Sequence, residues 1–140
     1  MEKVKKMFPD TNNKIKIIGE IPNVIIEVDE LKMMLAIRNL LDNAIKYSQD
    51  TEKACEISFA IKDNYLNISV LDYGEGIKKE DIPKLTEPFY RGNKEHNIKG
   101  FGIGLTIVKK VIEAHYGKLI IESKSGKGST FILKLNIKSR

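Results

Sequence analysis

The residues best suited to chemistry begin with NLLDNAIKYS at 39–48. Asparagine is a mediocre helix former because its amide competes for nearby backbone groups. Yet Asn39 and Asn43 stand four apart in a segment otherwise apolar enough to dock as a helix. Positions 39, 43, 46 and 47 follow the spacing of one helical face, so Asn39, Asn43, Lys46 and Tyr47 together offer two amide oxygens, a cation and a phenol. A second group is DYGEGI at 72–77. Asp72 stands where an apolar alternation stops, and Gly74 and Gly76 let the backbone turn close to a ligand. Its carboxylate is either a turn cap or an acceptor for an exocyclic amine. A third is GFGIGL at 100–105, whose glycines end a polar loop and open a helix. Backbone N–H groups at that helix start could hold an anion, or the glycines are a flexible joint. SGKGST at 125–130 fails as a phosphate-binding P-loop: position 121 is Ile, Gly128 follows the lysine, and a strand precedes it, so it reads as a hairpin turn.

The elements that must position these groups follow from periodicity and punctuation. KIKII (14–18) and VIIEV (24–28) read as short strands separated by Gly19, Pro22 and Asn23. Asp29 is placed to cap a helix running to about Tyr47, with Glu30 in its first turn and an apolar stripe of Leu31, Met34, Leu35, Leu41 and Ile45. CEISFAI (55–61) and YLNISVL (65–71) alternate and are joined by Asp63-Asn64, a hairpin turn. A short helical piece is expected over 79–86, a loop over 87–103, and a helix over 104–116 that Gly117 caps. KLIIES (118–123) and STFILKLNI (129–137) close the pattern as a second hairpin. Hairpins with helices inserted between them imply an α+β two-layer sandwich: a mixed, mostly antiparallel sheet of about five strands with three helices on one face.

Composition narrows the class. The 140 residues suit one domain with a sizeable core, and 41% hydrophobic with 31% charged residues is a globular balance rather than a disordered one. The net charge of +5 comes almost wholly from scattered Lys, a mildly basic solvated surface that gives no reason to assign a nucleic-acid partner. Cys55 is alone, which rules out an internal disulfide framework or a cysteine metal site and favours a reducing compartment. No apolar run approaches a membrane span, and MEKVKKMFPD has no apolar stretch after its charges to make a secretory signal. Residues 1–13 read as a linker or tail, and 14–140 as the domain.

In order, NLLDNAIKYS, DYGEGI, EPFYRGN, GFGIGLTIVKKVIEAHYGKL and GKGSTF resemble the catalytic ATP-binding domain of bacterial sensor histidine kinases, of the Bergerat-fold superfamily. The resemblance covers about residues 15–137, and it is the ordered series of motifs that makes it specific. It implies that Asn43 coordinates Mg²⁺ alongside ATP phosphates and waters, that Lys46 neutralises phosphate charge, and that Tyr47 either lines the pocket or packs. Hydrolytic members of the superfamily carry a water-activating Glu four residues before the metal Asn. Asn39 occupies that position, and an amide cannot accept a proton, which fits a kinase whose phosphate goes to histidine. Asp72 resembles the adenine reader, since an ionised carboxylate accepts from the N6 amine while guanine would present an acceptor. Gly74, Gly76 and Ile77 match the turn beside the base, Phe89 and Arg91 the phenylalanine box, and 91–102 the lid, with Arg91, Lys94 and Lys99 as phosphate contacts. Gly100, Gly102, Ile103, Gly104 and Leu105 match the second glycine box, and Thr130 the late Thr near the base.

The same resemblance implies absent partners. Neither His96 nor His115 carries the family's acceptor pattern, and His115 falls at a helix end where a structural role is expected. The acceptor histidine would belong to a dimerisation domain preceding this chain, and a response regulator would receive the phosphoryl group. The domain itself is expected to be a cytoplasmic monomer, whether alone or as the cytoplasmic part of a membrane sensor. The alternative is a stand-alone anti-sigma factor kinase of the same fold, phosphorylating serine on an antagonist. Such proteins resemble this chain in length but keep Glu where Asn39 stands and lack so sensor-like an EPFYRGN box.

Overall fold

The structure, a computed structural model, describes residues 15–48, 53–87, 104–124 and 126–137. Five strands form one sheet: β1 Ile15–Ile18, β2 Cys55–Lys62, β3 Tyr65–Asp72, β4 Lys118–Lys124 and β5 Gly128–Asn136. Their order is β1-β2-β3-β5-β4. β1 runs parallel to β2 and the remaining neighbours are antiparallel. Helices α1 Glu30–Tyr47 and α2 Gly104–Ala114 pack against the sheet, and a 3-10 helix spans Lys79–Lys84. This is the α+β arrangement, mixed and mostly antiparallel, that the alternating hairpins imply.

Alternation decides which side of the sheet is covered. Leu66, Ile68, Val70 and Asp72 of β3 are buried while the residues between them are half-exposed. Ser129, Phe131, Leu133 and Leu135 of β5 share that buried side. Asp63 and Asn64 take φ of 53° and 66°, the left-handed pair a two-residue hairpin turn requires to match strand twist.

α1 starts where the sequence places it: the Asp29 carboxylate accepts the Lys32 N–H at 3.1 Å. Its buried stripe, however, is Met33, Ala36, Ile37, Leu40, Leu41 and Ala44. Of the expected stripe only Leu41 is fully buried, whereas Leu31 is 81% and Leu35 47% exposed. This rotation sets Asn39 and Asn43 along the flank of the core rather than opposite it.

VIIEV is not a strand. Val24, Ile26 and Val28 do pack against the core while Ile25 is 91% exposed, so the alternation is real. No strand lies alongside it among the described residues, and the Val24 N–H instead turns back to the Pro22 carbonyl at 3.1 Å.

The C-terminal end of α2 differs from expectation in one detail. The Tyr116 N–H bonds to the Glu113 carbonyl at 3.0 Å and the Gly117 N–H to the Ile112 carbonyl at 2.8 Å, a Schellman cap. The left-handed residue is Tyr116, with φ 62°, not the glycine. Gly117 is required for closeness, because a Cβ there would lie 2.3 Å from the Lys134 carbonyl oxygen. His115 joins the two helices: Nε2 accepts the Asp29 N–H at 2.9 Å and Nδ1 lies 2.8 Å from the Val111 carbonyl. Accepting at Nε2 fixes the proton on Nδ1, which donates to Val111.

Candidate functional site

Asp72 stands at the end of β3, on the core-facing side, at 1% exposure. One carboxylate oxygen, Oδ1, accepts the Gly74 N–H at 2.9 Å. The other, Oδ2, is buried and has no hydrogen-bond partner. The turn-cap reading of this residue therefore accounts for one oxygen and leaves a second acceptor for something else. Burial pushes the carboxyl up to about 6, against the opposing pull of the Gly74 and Ser129 backbone N–H groups. An unsatisfied buried carboxylate is costly, and a site awaiting a donor is a physical reason to keep one.

The loop after Asp72 is held by three hydrogen bonds to two neighbours. The Tyr73 hydroxyl donates to Glu56 Oε2 at 2.9 Å, fastening the loop to β2. The Glu75 carbonyl accepts the Gly126 N–H, and the Ile77 N–H donates to Ser123 Oγ at 2.7 Å, fastening it to the β4–β5 hairpin. Gly76 takes φ 80°, a left-handed turn that glycine makes without strain. Gly128, at φ 97°, lies so close to β3 that a Cβ would fall 2.1 Å from the Asp72 carbonyl oxygen.

The second cluster lies between the helices. Gly104, the first residue of α2, faces the asparagines: a Cβ there would meet Asn43 Nδ2 at 3.7 Å and Asn39 Cβ and Cγ at 4.0 Å. The N-terminal end of α2, whose first N–H groups have no partner within the helix and carry partial positive charge, thus abuts the asparagine face of α1. Asn39 Nδ2 is buried and has no partner. Lys46 is half-buried in the last turn of α1. The start of α2 is held in place by Thr106, whose hydroxyl donates to the Thr86 carbonyl at 2.6 Å.

The structure thus gathers Asn39, Asn43 and Gly104 in one place and Asp72, Gly74, Gly76 and Ile77 in another. Two expectations change. Thr130 pairs with Leu71 in the register between β3 and β5, so alternation sends its side chain to the face opposite Asp72. The hydroxyl on the Asp72 side is that of Ser129, which pairs with Asp72 and is 3% exposed. Leu105 is buried in the core, so its side chain serves packing. The side chain of Tyr47 and the residues Phe89, Arg91, Lys94, His96, Lys99, Gly100, Gly102 and Ile103 lie outside the described residues. Sequence reasoning missed Gly128, Ser129 and Ser123. A signal for Ser129 was present: it continues the period of Phe131, Leu133 and Leu135, and a polar residue on a core-facing period asks for an explanation.

Among the described residues, no group of three or more His, Cys, Asp or Glu side chains gathers to hold a metal. No helix among them is long and apolar enough to cross a membrane. Comparison with known proteins agrees with the geometry. The sensor protein RprX of Bacteroides fragilis is 41% identical over 128 residues, covering 89% of this chain but 24% of its own. The adaptive-response sensory kinase SasA of Crocosphaera subtropica is 33% identical, covering 91% of this chain and 34% of its own. The chain therefore spans about a quarter to a third of the length of these relatives. Among solved structures, the Acinetobacter baumannii histidine kinase AdeS superposes with a TM-score of 0.74 at 27% identity, over 99% of this chain and 63% of that one. The mycobacterial sensor histidine kinase MprB shares the fold with a TM-score of 0.77 at 23% identity, over 99% of this chain and 90% of that one. The family described as histidine kinase-, DNA gyrase B-, and HSP90-like ATPase matches residues 28–139, most of the chain, and the protein belongs to it.

Proposed function

We propose that this chain is the ATP-binding catalytic domain of a sensor histidine kinase, acting on a histidine of a dimerisation domain for relay to a response regulator. The observation that carries the reading is Asp72: a buried carboxylate with one oxygen fixed by Gly74 and the other without a partner. A donor such as the adenine N6 amine satisfies that oxygen, and a guanine oxygen would repel it. Asn39, Asn43 and the N-terminal end of α2 offer what triphosphate needs, backbone N–H groups and amide groups free of like charge. Asn43 would hold Mg²⁺ through its amide oxygen, with Asn39 beside it. Amide oxygens suit a hard cation that keeps several waters and takes few protein ligands. When bound, Mg²⁺ neutralises charge on the phosphates. Lys46 adds a compact cation on the same helical face. Asn39 has no basic atom to take a proton from water, which disfavours hydrolysis and leaves the γ-phosphoryl group for an acceptor supplied from elsewhere.

The named relatives are sensor proteins, which favours this reading over a serine kinase acting on an antagonist. Calorimetric titration of the chain with Mg-ADP and Mg-GDP tests it. ADP should bind at least tenfold more tightly, since a hydrogen bond to a charged group is worth about 1.5–3 kcal/mol. Equal affinities, or no binding of either, would reject it.

A further inference from the structure

One of the contacts between the 73–77 loop and the β4–β5 hairpin ends on a hydroxyl that the adenine reading does not use. Ser123 Oγ accepts the Ile77 N–H at 2.7 Å, lies 3.0 Å from the Gly128 carbonyl oxygen, and lies 2.8 Å from Ser129 Oγ. A hydroxyl has one proton, so these three contacts constrain one another. If Ser123 donates to Gly128, Ser129 must donate to Ser123 and presents only lone pairs to its surroundings. If Ser123 donates to Ser129, the Ser129 proton is released toward Asp72 or toward a ligand. Ser129 is buried and sits opposite Asp72 in the β3–β5 register, on the same face. The direction of the Ser123 proton therefore decides whether the hydroxyl paired with Asp72 across the two strands is a donor or an acceptor.

We propose that Ser123 is a positioning residue for base recognition: it pins the loop through Ile77 and sets the direction in which Ser129 donates beside Asp72. The inference rests on the ATP-binding reading above. Ser123 need not touch the nucleotide. Its removal should leave the Ile77 N–H and the Gly128 carbonyl each short of a partner and free Ser129 to rotate. The base, not the phosphates, should feel the change.

The test is calorimetric titration of Mg-ADP and Mg-GDP into the chain as wild type, Ser123→Ala and Ser123→Thr, with the melting temperature of each without nucleotide and amide exchange at Ile77. Ser123→Ala should bind ADP about tenfold more weakly, the worth of the one hydrogen bond that Ser129 is no longer oriented to make. The preference for ADP over GDP should narrow, and the Ile77 amide should exchange faster. Ser123→Thr keeps the hydroxyl and should restore both affinity and preference. A Ser123→Ala chain that melts earlier yet binds ADP as wild type does would make Ser123 merely structural and overturn the proposal. A wild-type chain that binds no ADP would instead remove the ATP-binding reading itself. Should the alanine variant fail to fold, the wild-type Ile77 amide decides. Protection that rises when ADP is added supports the proposal, and exchange as fast as in an open turn overturns it.

Discussion

Asp72 is held at 1% exposure with its carboxyl pushed up to about 6 from an ordinary 3.8, so ionising it works against the fold. The native state binds this proton more tightly than the unfolded chain does. Its contribution to stability is therefore complete below about pH 4 and is lost as pH rises through about 6. Asp72→Asn should remove that loss and stabilise the nucleotide-free chain at pH 7 by about 2–3 kcal/mol, read by urea denaturation. The same substitution puts an NH₂ where an acceptor stood and should weaken ADP at least tenfold. A variant that gains stability without losing ADP would show that the orphan oxygen serves no ligand. Acidification should mimic the second effect in the wild-type chain. Below about pH 6, where Asp72 takes up its proton, ADP affinity should fall by roughly tenfold per pH unit. A calorimetric series from pH 5 to pH 8 checks this, and a flat profile would contradict it.

At the scale of elements, the joints between helix and sheet are tighter than their sequences announce. The Schellman turn after α2 places Tyr116, 72% exposed, in the left-handed region at φ 62°. Such a conformation costs a non-glycine residue roughly 1 kcal/mol, so Tyr116→Gly should stabilise the chain by about that amount in a thermal or urea melt. Gly117→Ala should do the opposite by more, because its methyl would collide with the Lys134 carbonyl. Which parts of these elements could be read in advance follows a physical rule. The Asp29 cap and the Asp63-Asn64 turn were legible because a local hydrogen bond or a positive φ selects particular residue types. The rotation of α1 was not, because it depends on what the helix packs against: Leu31 and Leu35 are as apolar as Leu40 and Leu41 and differ only in what faces them. VIIEV has the alternation of a strand and half its burial, but a strand also requires a neighbour, and neighbours are a property of topology. In the site, Asp72 and the asparagines stood out as polar groups at apolar positions. Ser129 and Thr130 are adjacent hydroxyls that look alike until the register with β3 assigns each a face, Ser129 on the side of Asp72.

At the scale of the whole molecule, the chain spans 24% of the length of RprX and 34% of that of SasA, and His115, the histidine among the described residues, is a poor acceptor. Both ring nitrogens of His115 are engaged, one by the Asp29 N–H and one by the Val111 carbonyl. Incubated alone with γ-labelled Mg-ATP, the chain should take up no stable label. On the proposed function, mixed with a histidine-bearing dimerisation domain it should transfer label slowly, since a covalent link normally supplies the effective concentration that free domains lack. Label on the isolated chain that disappears in His115→Ala would overturn this account. Nucleotide should also act on the entire fold: Mg-ATP at a hundred times its dissociation constant is expected to add about 2.7 kcal/mol of stability, visible as a raised melting temperature.

The strand order has a consequence in time. β5 comes last among the described strands in sequence, yet it lies between β3 and β4, and it carries Gly128 and Ser129 to the side of Asp72. A ribosome delivers β1, α1, β2 and β3 well before it, so the polypeptide could assemble that portion with β3 still presenting a bare edge. The surroundings of the Asp72 carboxylate do not exist until β5 has emerged and paired with β3, a long-range pairing that is slow to form. If Asp72 reads the base as proposed, nucleotide is no folding template for the nascent chain. On the function proposed above, it would lock only a domain whose synthesis has already passed β5, which would make ATP binding a report on completed assembly.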